Sequence, residues 1–329
     1  MKLTIPQLKR QIQNNDISNL YLFYGEEKYL LNNYIANIKD KTVNGFLEFN
    51  YFEFTDETAD YEQFASFVLS YPQMSDKKMV VLKDCGFLQN SAYKDKMLEL
   101  LSDLPSHCVV AFAEQTAGKI KKELLSLIET KGVVTEFEKQ TPENLRTWVN
   151  RKFALANKKM TIEDMNYLVA LCSCSLDKLE VECSKLISGT EEEIISKTHI
   201  DALVTVPVEY KVFTMADSLL NKNNNEAYSL LREFKINKEQ PTEILAIIYS
   251  SISEILMFKT LLGLGKNPEL YLAPNRKWLG KKYRAQATKQ DGKKLREIMK
   301  MCFEYDEKIK TGLIDGYTAL EVVIASMLG

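Results

Sequence analysis

Residues 21–31, near the start of the chain, read YLFYGEEKYLL. A short apolar run leads into Gly25, and a segment with helical periodicity follows. A phosphate-binding loop begins in this way, because free backbone N–H groups at a helix N-terminus hold anions. Here, however, Glu26 and Glu27 stand where phosphate oxygens would lie. The stretch predicts the approach to a nucleotide site with negative charge placed inside it.

The remainder of the nucleotide motif is missing. A working loop reads G-x-x-x-x-G-K-[ST], in which the Lys and the hydroxyl complete the phosphate and Mg²⁺ contacts. Here Gly25 is followed by Glu26, Glu27 and Lys28, and the next glycine is Gly45. The two glutamates would repel a triphosphate, and they suit the first turn of a helix. We therefore expect residues Gly25, Glu26, Glu27 and Lys28 to form a degenerate site that binds no nucleotide, and we expect no cofactor.

The residues that would bind Mg²⁺ and activate water are also missing. Nucleotide-hydrolysing folds of this kind end a central strand with Asp, usually followed by Glu. Here Asp84 is followed by Cys85, and the next apolar run ends at Glu114. The two histidines, His107 and His199, lie in no motif with a nucleophile. We expect no catalytic site, although carboxylate chemistry among the 45 acidic residues stays open.

The first 140 residues alternate between short apolar runs and helical patterns. The apolar runs lie at residues 20–25, 48–54, 78–84, 107–114 and 132–138. The helical patterns lie at residues 26–41, 61–69, 93–104 and 119–130. Such alternation predicts a parallel sheet with flanking helices, and runs such as VVLK and VVAF suit central strands buried on both faces. Residues 1–140 are therefore predicted to form an α/β domain.

The pattern changes at Thr141-Pro142, after which every segment favours helix. Thr as the N-cap and Pro at the first helical position mark a helix start. Three capped helical patterns follow, and longer amphipathic patterns begin near residue 210. We predict two all-α domains after the α/β domain, at residues 141–209 and 210–329. We find no internal repeat.

Composition excludes several classes of protein. The 329 residues are 45% hydrophobic and carry a formal net charge of −2, so the whole chain has no electrostatic footprint for nucleic acid. We expect no apolar run of about 20 residues that could span a bilayer, no secretory signal and a cytoplasmic location. A metal site at Cys172, Cys174, Cys183 and His199 is disfavoured, because cysteines two apart on a helix point in different directions. The cysteines are expected to be reduced and mostly buried.

Three segments resemble a known family: residues 21–38, 212–234 and 305–324. With the predicted three-domain plan, the chain resembles the delta subunit of the bacterial DNA polymerase III clamp loader over essentially its full length. The resemblance implies an AAA+-like domain, a lid domain at 141–209 and a collar domain for oligomerisation at 210–329. It also implies a subunit without catalysis of its own, accessory to a DNA-directed DNA polymerase, a nucleotidyltransferase complex.

The resemblance also implies partners and a function. The N-terminal domain would bind the sliding clamp (the beta subunit) and open its ring for loading onto primed DNA in replication. The collar would assemble with gamma or tau and delta-prime subunits. One alternative is a delta-prime-like subunit, which would carry a zinc-binding cysteine cluster and a Ser-Arg-Cys motif, both missing here. The other is an unrelated P-loop enzyme, which would need the missing Lys-Ser or Lys-Thr.

Residues 67–82 (FVLSYPQMSDKKMVVL) contain the predicted clamp-binding site. Pro72 cannot continue the preceding helical pattern, and a buried strand is predicted to begin just after, so Tyr71, Pro72, Gln73 and Met74 lie on the connection. The resemblance implies that two apolar residues here enter a hydrophobic pocket of the clamp, at the positions of Gln73 and Met74. Gln73 departs from the usual apolar residue. The alternative is that Met74 packs into the core of its own domain.

Two features of the last 120 residues leave alternatives open. A basic run between Arg276 and Lys294 is either a solvated helical surface, which we favour, or a phosphate contact through Lys281, Lys282 and Arg284. The segment ILAIIYSSISEILMFKTLL has an apolar surface wider than one stripe, so its helix needs cover on more than one side. That cover is either its own domain or a partner subunit.

Overall fold

The computed structural model describes residues 1–328, together with the side chains of all of these except Pro274, Asn275 and Leu328. The chain divides into two compact units, Met1–Lys139 (unit 1) and Gln140–Gly329 (unit 2). The predicted boundary at residue 209 falls inside unit 2, and the division into lid and collar stays a prediction.

Unit 1 is built on a five-stranded parallel sheet with the strand order β2-β3-β4-β1-β5. The strands are β1 Leu20–Tyr24, β2 Tyr51–Thr55, β3 Lys78–Lys83, β4 Cys108–Glu114 and β5 Val133–Glu136. Each lies within or overlaps one of the five predicted runs. In β4 every residue is buried, as the apolar run predicted for a central strand. The predicted α/β fold class is confirmed.

Helices cover both faces of this sheet. They are α1 Ile5–Gln13, α2 Lys28–Thr42, α3 Leu47–Asn50, α4 Tyr61–Leu69, α5 Lys94–Ser102 and α6 Lys122–Lys131, with single 3₁₀ turns at Ser91–Tyr93 and Ala117–Lys119. Side chains alternate along β1, so Leu20 and Leu22 enter the core on one face, while Tyr21 and Phe23 enter the core on the other. The ends of the parallel strands are thereby fixed between two packed layers.

The run at residues 48–54 was predicted as one strand, and this prediction is wrong for its first residues. Leu47–Asn50 forms the short helix α3, and β2 begins only at Tyr51. The cause is local geometry that a propensity pattern does not contain. Phe46 adopts a left-handed backbone conformation, and the Asn50 side chain donates to the carbonyls of Gly45 and Phe46, which closes the turn.

Unit 2 is helical apart from one small two-stranded parallel pair. Its elements are α7 Pro142–Leu155, β6 Lys159–Met160, α8 Ile162–Leu171, α9 Leu176–Gly189, β7 Ile194–Ile195, α10 Lys197–Leu203, α11 Val208–Leu220, α12 Asn224–Ile236, α13 Pro241–Gly263, α14 Gly280–Lys289, α15 Gly292–Lys310 and α16 Gly316–Leu328, with 3₁₀ turns at Pro268–Tyr271 and Pro274–Leu279. As predicted, α7 starts with Thr141 as its N-cap, whose side chain accepts from the Asn144 N–H, and with Pro142 at its first position.

Helix α13 is the central helix of unit 2. Ile244, Ile248, Ile252 and Ile255 are buried along one side of it, and α11, α14, α15 and α16 all pack against it. By length and composition α13 could cross a membrane, so the expectation that no apolar run has that length is wrong. Its apolar residues contribute to the core of unit 2, which accounts for the wide apolar surface.

Candidate functional site

The space next to Gly25 is filled by the protein's own backbone. Gly25 has a φ of +130°, and a Cβ atom at this position would lie 2.3 Å from the Phe137 carbonyl oxygen. The same oxygen accepts the N–H of Glu27 at 2.9 Å, and the Phe137 N–H is donated to the Tyr24 carbonyl at 2.7 Å. The glycine is therefore required by the close approach of the chain after β5. A backbone N–H that a phosphate-binding loop could offer to its ligand is used within the fold.

The two glutamates after Gly25 lie outside the first turn of α2, so that expectation is wrong. The helix begins at Lys28, and Glu27 is its N-cap residue, with a ψ of 73° outside the helical range. The hydrogen bond from Glu27 to Phe137 holds it in this conformation. Glu27 is buried, and Glu26 is exposed, with its carboxylate 3.9 Å from the Lys139 ammonium. Negative charge therefore lies beside the predicted degenerate site.

The carboxyl ends of β3 and β4 bring Asp84 and Glu114 together beside Lys28. The Lys28 ammonium lies 3.7 Å from the Asp84 carboxylate. Glu114 is only 1% exposed, and its Oε2 accepts from Gln89 Nε2 at 2.9 Å. Burial, with the neighbouring Asp84 charge adding to it, raises the pKa of Glu114 to about 7, against the opposing effects of Gln89 and Lys28. The lysine of this site thus pairs with a carboxylate of the protein.

The loop between α4 and β3, residues 70–77, carries the predicted clamp-binding residues. Tyr71 is 82% exposed and Met74 is 84% exposed. Gln73 is also exposed, and Pro72 is partly buried. Met74 is therefore not a core side chain, and the alternative that it packs into its own domain is wrong. Its backbone adopts a left-handed conformation, with a φ of +49°.

The buried side-chain amide of Asn50 holds this loop through hydrogen bonds to Gln73. Asn50 is fully buried, and its Oδ1 accepts the N–H of Gln73 at 2.8 Å while its Nδ2 donates to the Gln73 carbonyl, also at 2.8 Å. The same Nδ2 donates to the carbonyls of Gly45 and Phe46 at 3.1 and 3.2 Å. One side chain therefore closes the α3 turn and ties it to the loop.

A buried lysine, Lys78, holds the first residue of the loop, Ser70. The Lys78 ammonium donates to the carbonyls of Phe67 and Ser70 and to the Ser70 hydroxyl, the last at 2.8 Å, and it lies 4.7 Å from the centre of the Phe67 ring. Burial lowers the pKa of Lys78. These bonds satisfy carbonyls at the C-terminus of α4 that the helix leaves free. The chain therefore leaves α4 in a defined direction.

Tyr71 is oriented by an aromatic neighbour. Its ring stacks on the His107 ring, with a centroid distance of 5.0 Å and an interplanar angle of 26°. The Nε2 atom of His107 lies 3.0 Å from the Ser70 carbonyl oxygen. Stacking leaves the other face of the Tyr71 ring accessible. The loop thus presents one aromatic and one flexible apolar side chain on a hydrogen-bonded support.

Further apolar side chains are exposed on α3 and next to it, and the sequence reasoning missed them. Phe46, Leu47 and Phe49 are each about half exposed, and Phe52 on the edge strand β2 and Leu69 at the end of α4 are exposed as well. The signal was present in GFLEFNYF, where large apolar residues do not follow strict alternation. The strand predicted at residues 48–54 assigned Phe49 and Phe52 to the sheet, and Phe46 and Leu47 lay just before it.

The candidate DNA-contact residues lie on α14. The Lys282 ammonium is 4.0 Å from the Asp217 carboxylate, and Arg284 Nε is 3.2 Å from Glu269 Oε1, while Lys281 is exposed. Two of the three predicted cations therefore have an acidic partner in unit 2. This arrangement favours a surface that is neutralised within the protein, and a phosphate contact stays a prediction.

Comparison with known proteins gives the family. A model of the DNA polymerase III delta subunit matches residues 21–138, and a model of the C-terminal domain of that subunit matches residues 209–327. The chain belongs to the DNA polymerase III delta subunit family. The matches cover the sheet of unit 1, the α4–β3 loop and the helices around α13. The resemblance carried by the three segments is confirmed.

Individual relatives agree with this assignment. DNA polymerase III subunit delta of Bacillus subtilis is 22% identical, over 97% of this chain and 95% of the relative. A probable DNA polymerase III subunit delta of Aquifex aeolicus is 23% identical over 74% of this chain and 71% of its own. The structure of the Bacillus subtilis DNA clamp loader delta protein superposes with a TM-score of 0.69, at 20% identity, over 98% of both chains. The chain shares the fold of that protein.

Proposed function

We propose that this chain is a clamp-loader subunit that binds the sliding clamp and opens its ring, so that the ring can be placed on primed DNA. The α4–β3 loop carries this proposal. Tyr71 and Met74 are the most exposed large apolar side chains in unit 1 among the described residues. The loop that bears them is held at Ser70 by the buried Lys78 and at Gln73 by the buried Asn50. A preorganised apolar projection loses little conformational entropy when it enters a pocket.

The degenerate nucleotide site supports a role without ATP hydrolysis. The Phe137 carbonyl accepts a loop N–H, and Lys28 pairs with Asp84 at 3.7 Å. Ring opening by this subunit would then draw on the energy of binding the clamp. ATP would act on the gamma or tau subunits, with which this chain and delta-prime would assemble in the cytoplasm as an accessory part of the polymerase. We place that assembly on residues 210–329.

The two alternatives, a delta-prime-like subunit and a P-loop enzyme, are less well supported. Both family models describe the delta subunit, which argues against a delta-prime-like protein. The occupied space beside Gly25 argues against a P-loop enzyme. DNA contact would be made in the assembled complex, and the pairing of Lys282 and Arg284 with acids of unit 2 argues that these two contribute little to it.

The test is the affinity of the purified chain for the sliding clamp of the same organism, measured by isothermal titration. Covering a methionine side chain is worth about 1.5–3 kcal/mol, so Met74→Ala should weaken binding about 10- to 100-fold. Tyr71→Ala should weaken it as well. Leu155→Ala is the matched control, since Leu155 is 79% exposed in unit 2 and should have no effect. If both loop variants bind like the parent, the site assignment is wrong.

A further inference from the structure

We propose that Asn50 is a positioning residue, which sets the α4–β3 loop for the clamp and makes the α3 turn the second half of the same contact surface. The α3 turn here means residues 46–50, with the exposed side chains of Phe46, Leu47 and Phe49. This inference rests on the proposed clamp-binding function. It adds a residue that never touches the clamp and a segment that lies outside the predicted loop.

The hydrogen bonds of Asn50 are the first support. Its Oδ1 accepts from the Gln73 N–H, and its two N–H groups are shared among three carbonyls, those of Gln73, Gly45 and Phe46. A fully buried amide whose donors and acceptor are all used is specific in geometry, because any displacement leaves polar groups unpaired. Both partner segments are therefore held at fixed positions relative to one another.

The backbone on either side of this amide is the second support. Met74, directly after Gln73, and Phe46, four residues before Asn50, both have positive φ values, of 49° and 48°. Residues other than glycine occupy this conformation only where the surroundings hold them in it. Beside Met74, Gln73 is held by two hydrogen bonds to the Asn50 side chain, and the Phe46 carbonyl accepts from that side chain and from the backbone N–H groups of Phe49 and Asn50. Without the two bonds to Gln73 the loop is free to relax, and Met74 would lose its fixed outward orientation.

The α3 turn is too short to be stable alone, since isolated helices need at least about 12 residues. It nevertheless keeps Phe46, Leu47 and Phe49 about half exposed. Large apolar side chains grouped on a surface mark a site of interaction. Because the Asn50 side chain donates to the Gln73 carbonyl at 2.8 Å, the turn and the loop lie side by side. The occupant we assign to both is therefore the sliding clamp.

The experiment is a double-mutant cycle on clamp binding. Asn50→Ala should weaken binding about 10-fold in the parent but less than about threefold in the Met74→Ala background. Asn50 acts on the loop through Met74, whereas the α3 turn keeps the backbone hydrogen bonds from Phe49 and Asn50 to the Phe46 carbonyl when the Asn50 side chain is lost. Phe49→Ala should weaken binding about fivefold in both backgrounds, since it contributes an independent contact. Asn37→Ala is the control, because Asn37 is exposed and its side chain donates within α2, to Asn33.

A second variant and a second measurement cover the case that Asn50→Ala fails to fold. Gln73→Pro removes the N–H that Asn50 accepts and leaves the buried amide in place. It should weaken binding as Asn50→Ala does. Hydrogen exchange should show the Gln73 amide opening about 100-fold faster in Asn50→Ala, with β4 amides unchanged.

The outcomes separate the two proposals. If the parent chain does not bind the clamp, the proposed function fails, and the exchange rate of Gln73 still decides whether Asn50 holds the loop. If the parent binds the clamp, and Asn50→Ala and Gln73→Pro both bind it as tightly as the parent does, the positioning role is overturned. Equal losses from Asn50→Ala in both backgrounds also overturn it. If Phe49→Ala binds like the parent, the α3 turn is not part of the contact.

Discussion

Replacing Glu114 by Gln should make unit 1 more stable at neutral and alkaline pH, by an amount that disappears in acid. Glu114 is 1% exposed, and burial raises the pKa of its carboxyl from 4.5 to about 7. The folded protein therefore holds a proton that the unfolded chain releases. The stability that comes from holding Glu114 in its protonated form is fully present below pH 4.5, and it is lost as the pH rises through about 7.

The size of the stability difference follows from the shift in the pKa of Glu114. One pKa unit corresponds to about 1.4 kcal/mol, so the loss between pH 5 and pH 8 is about 2–3 kcal/mol. Glutamine has nearly the same shape, accepts the hydrogen bond from Gln89 and does not titrate. The free energy of unfolding of Glu114→Gln should therefore exceed that of the parent by about 2–3 kcal/mol more at pH 8 than at pH 5.

Hydrogen exchange followed by mass spectrometry is the suitable assay, because both tryptophans, Trp148 and Trp278, lie in unit 2 and cannot report on unit 1. Opening free energies of β1 and β4 peptides give the stability of unit 1, and α13 peptides serve as an internal reference. Glu57→Gln, at an exposed glutamate of the same unit, is the control and should change nothing. If the opening free energies of variant and parent differ by the same amount at pH 5 and at pH 8, the pKa of Glu114 is not raised by burial.

Three further predictions concern other parts of the chain. The chain should show no saturable ATP binding at micromolar concentration, and binding that Lys28→Ala abolishes would contradict the degenerate site. Arg276→Ala should destabilise unit 2 by about 2 kcal/mol, because the partly buried Glu254 would lose its ion pair at 2.9 Å. Unfolding followed by tryptophan fluorescence would measure this, since both tryptophans lie in unit 2, and an unchanged midpoint would contradict it. Removing the residues after Tyr210 should abolish assembly with the other loader subunits and leave clamp binding largely intact, as size-exclusion chromatography can show.

The elements that follow from local pattern could be predicted from the sequence. The strands of unit 1 are short apolar runs between helical patterns, and Thr141-Pro142 marks a helix start in its own residues. Helix α1 was missed, although Thr4 and Gln7 form a capping box at its start. A single short helix before the first strand does not alter the alternation on which the prediction relied.

What could not be predicted depends on contacts between distant residues. The α3 turn is closed by Asn50, whose amide also bonds Gln73, 23 residues away. The burial of Glu27 depends on the backbone of Phe137, which lies far along the chain. The placement of Met74 on a connection could be predicted, because Pro72 ends the helix. Its exposure and its positive φ could not, since both depend on that distant support.

Release of a sliding clamp from closed circular DNA measures ring opening itself, because a ring trapped on such DNA can leave only by opening. The chain, added alone and without ATP, should release the clamp, and Met74→Ala should release it about 10- to 100-fold less well at subsaturating concentration. Leu155→Ala should act like the parent. A clamp that stays on the DNA although the chain binds it, or release that requires ATP bound by this chain, would contradict the account.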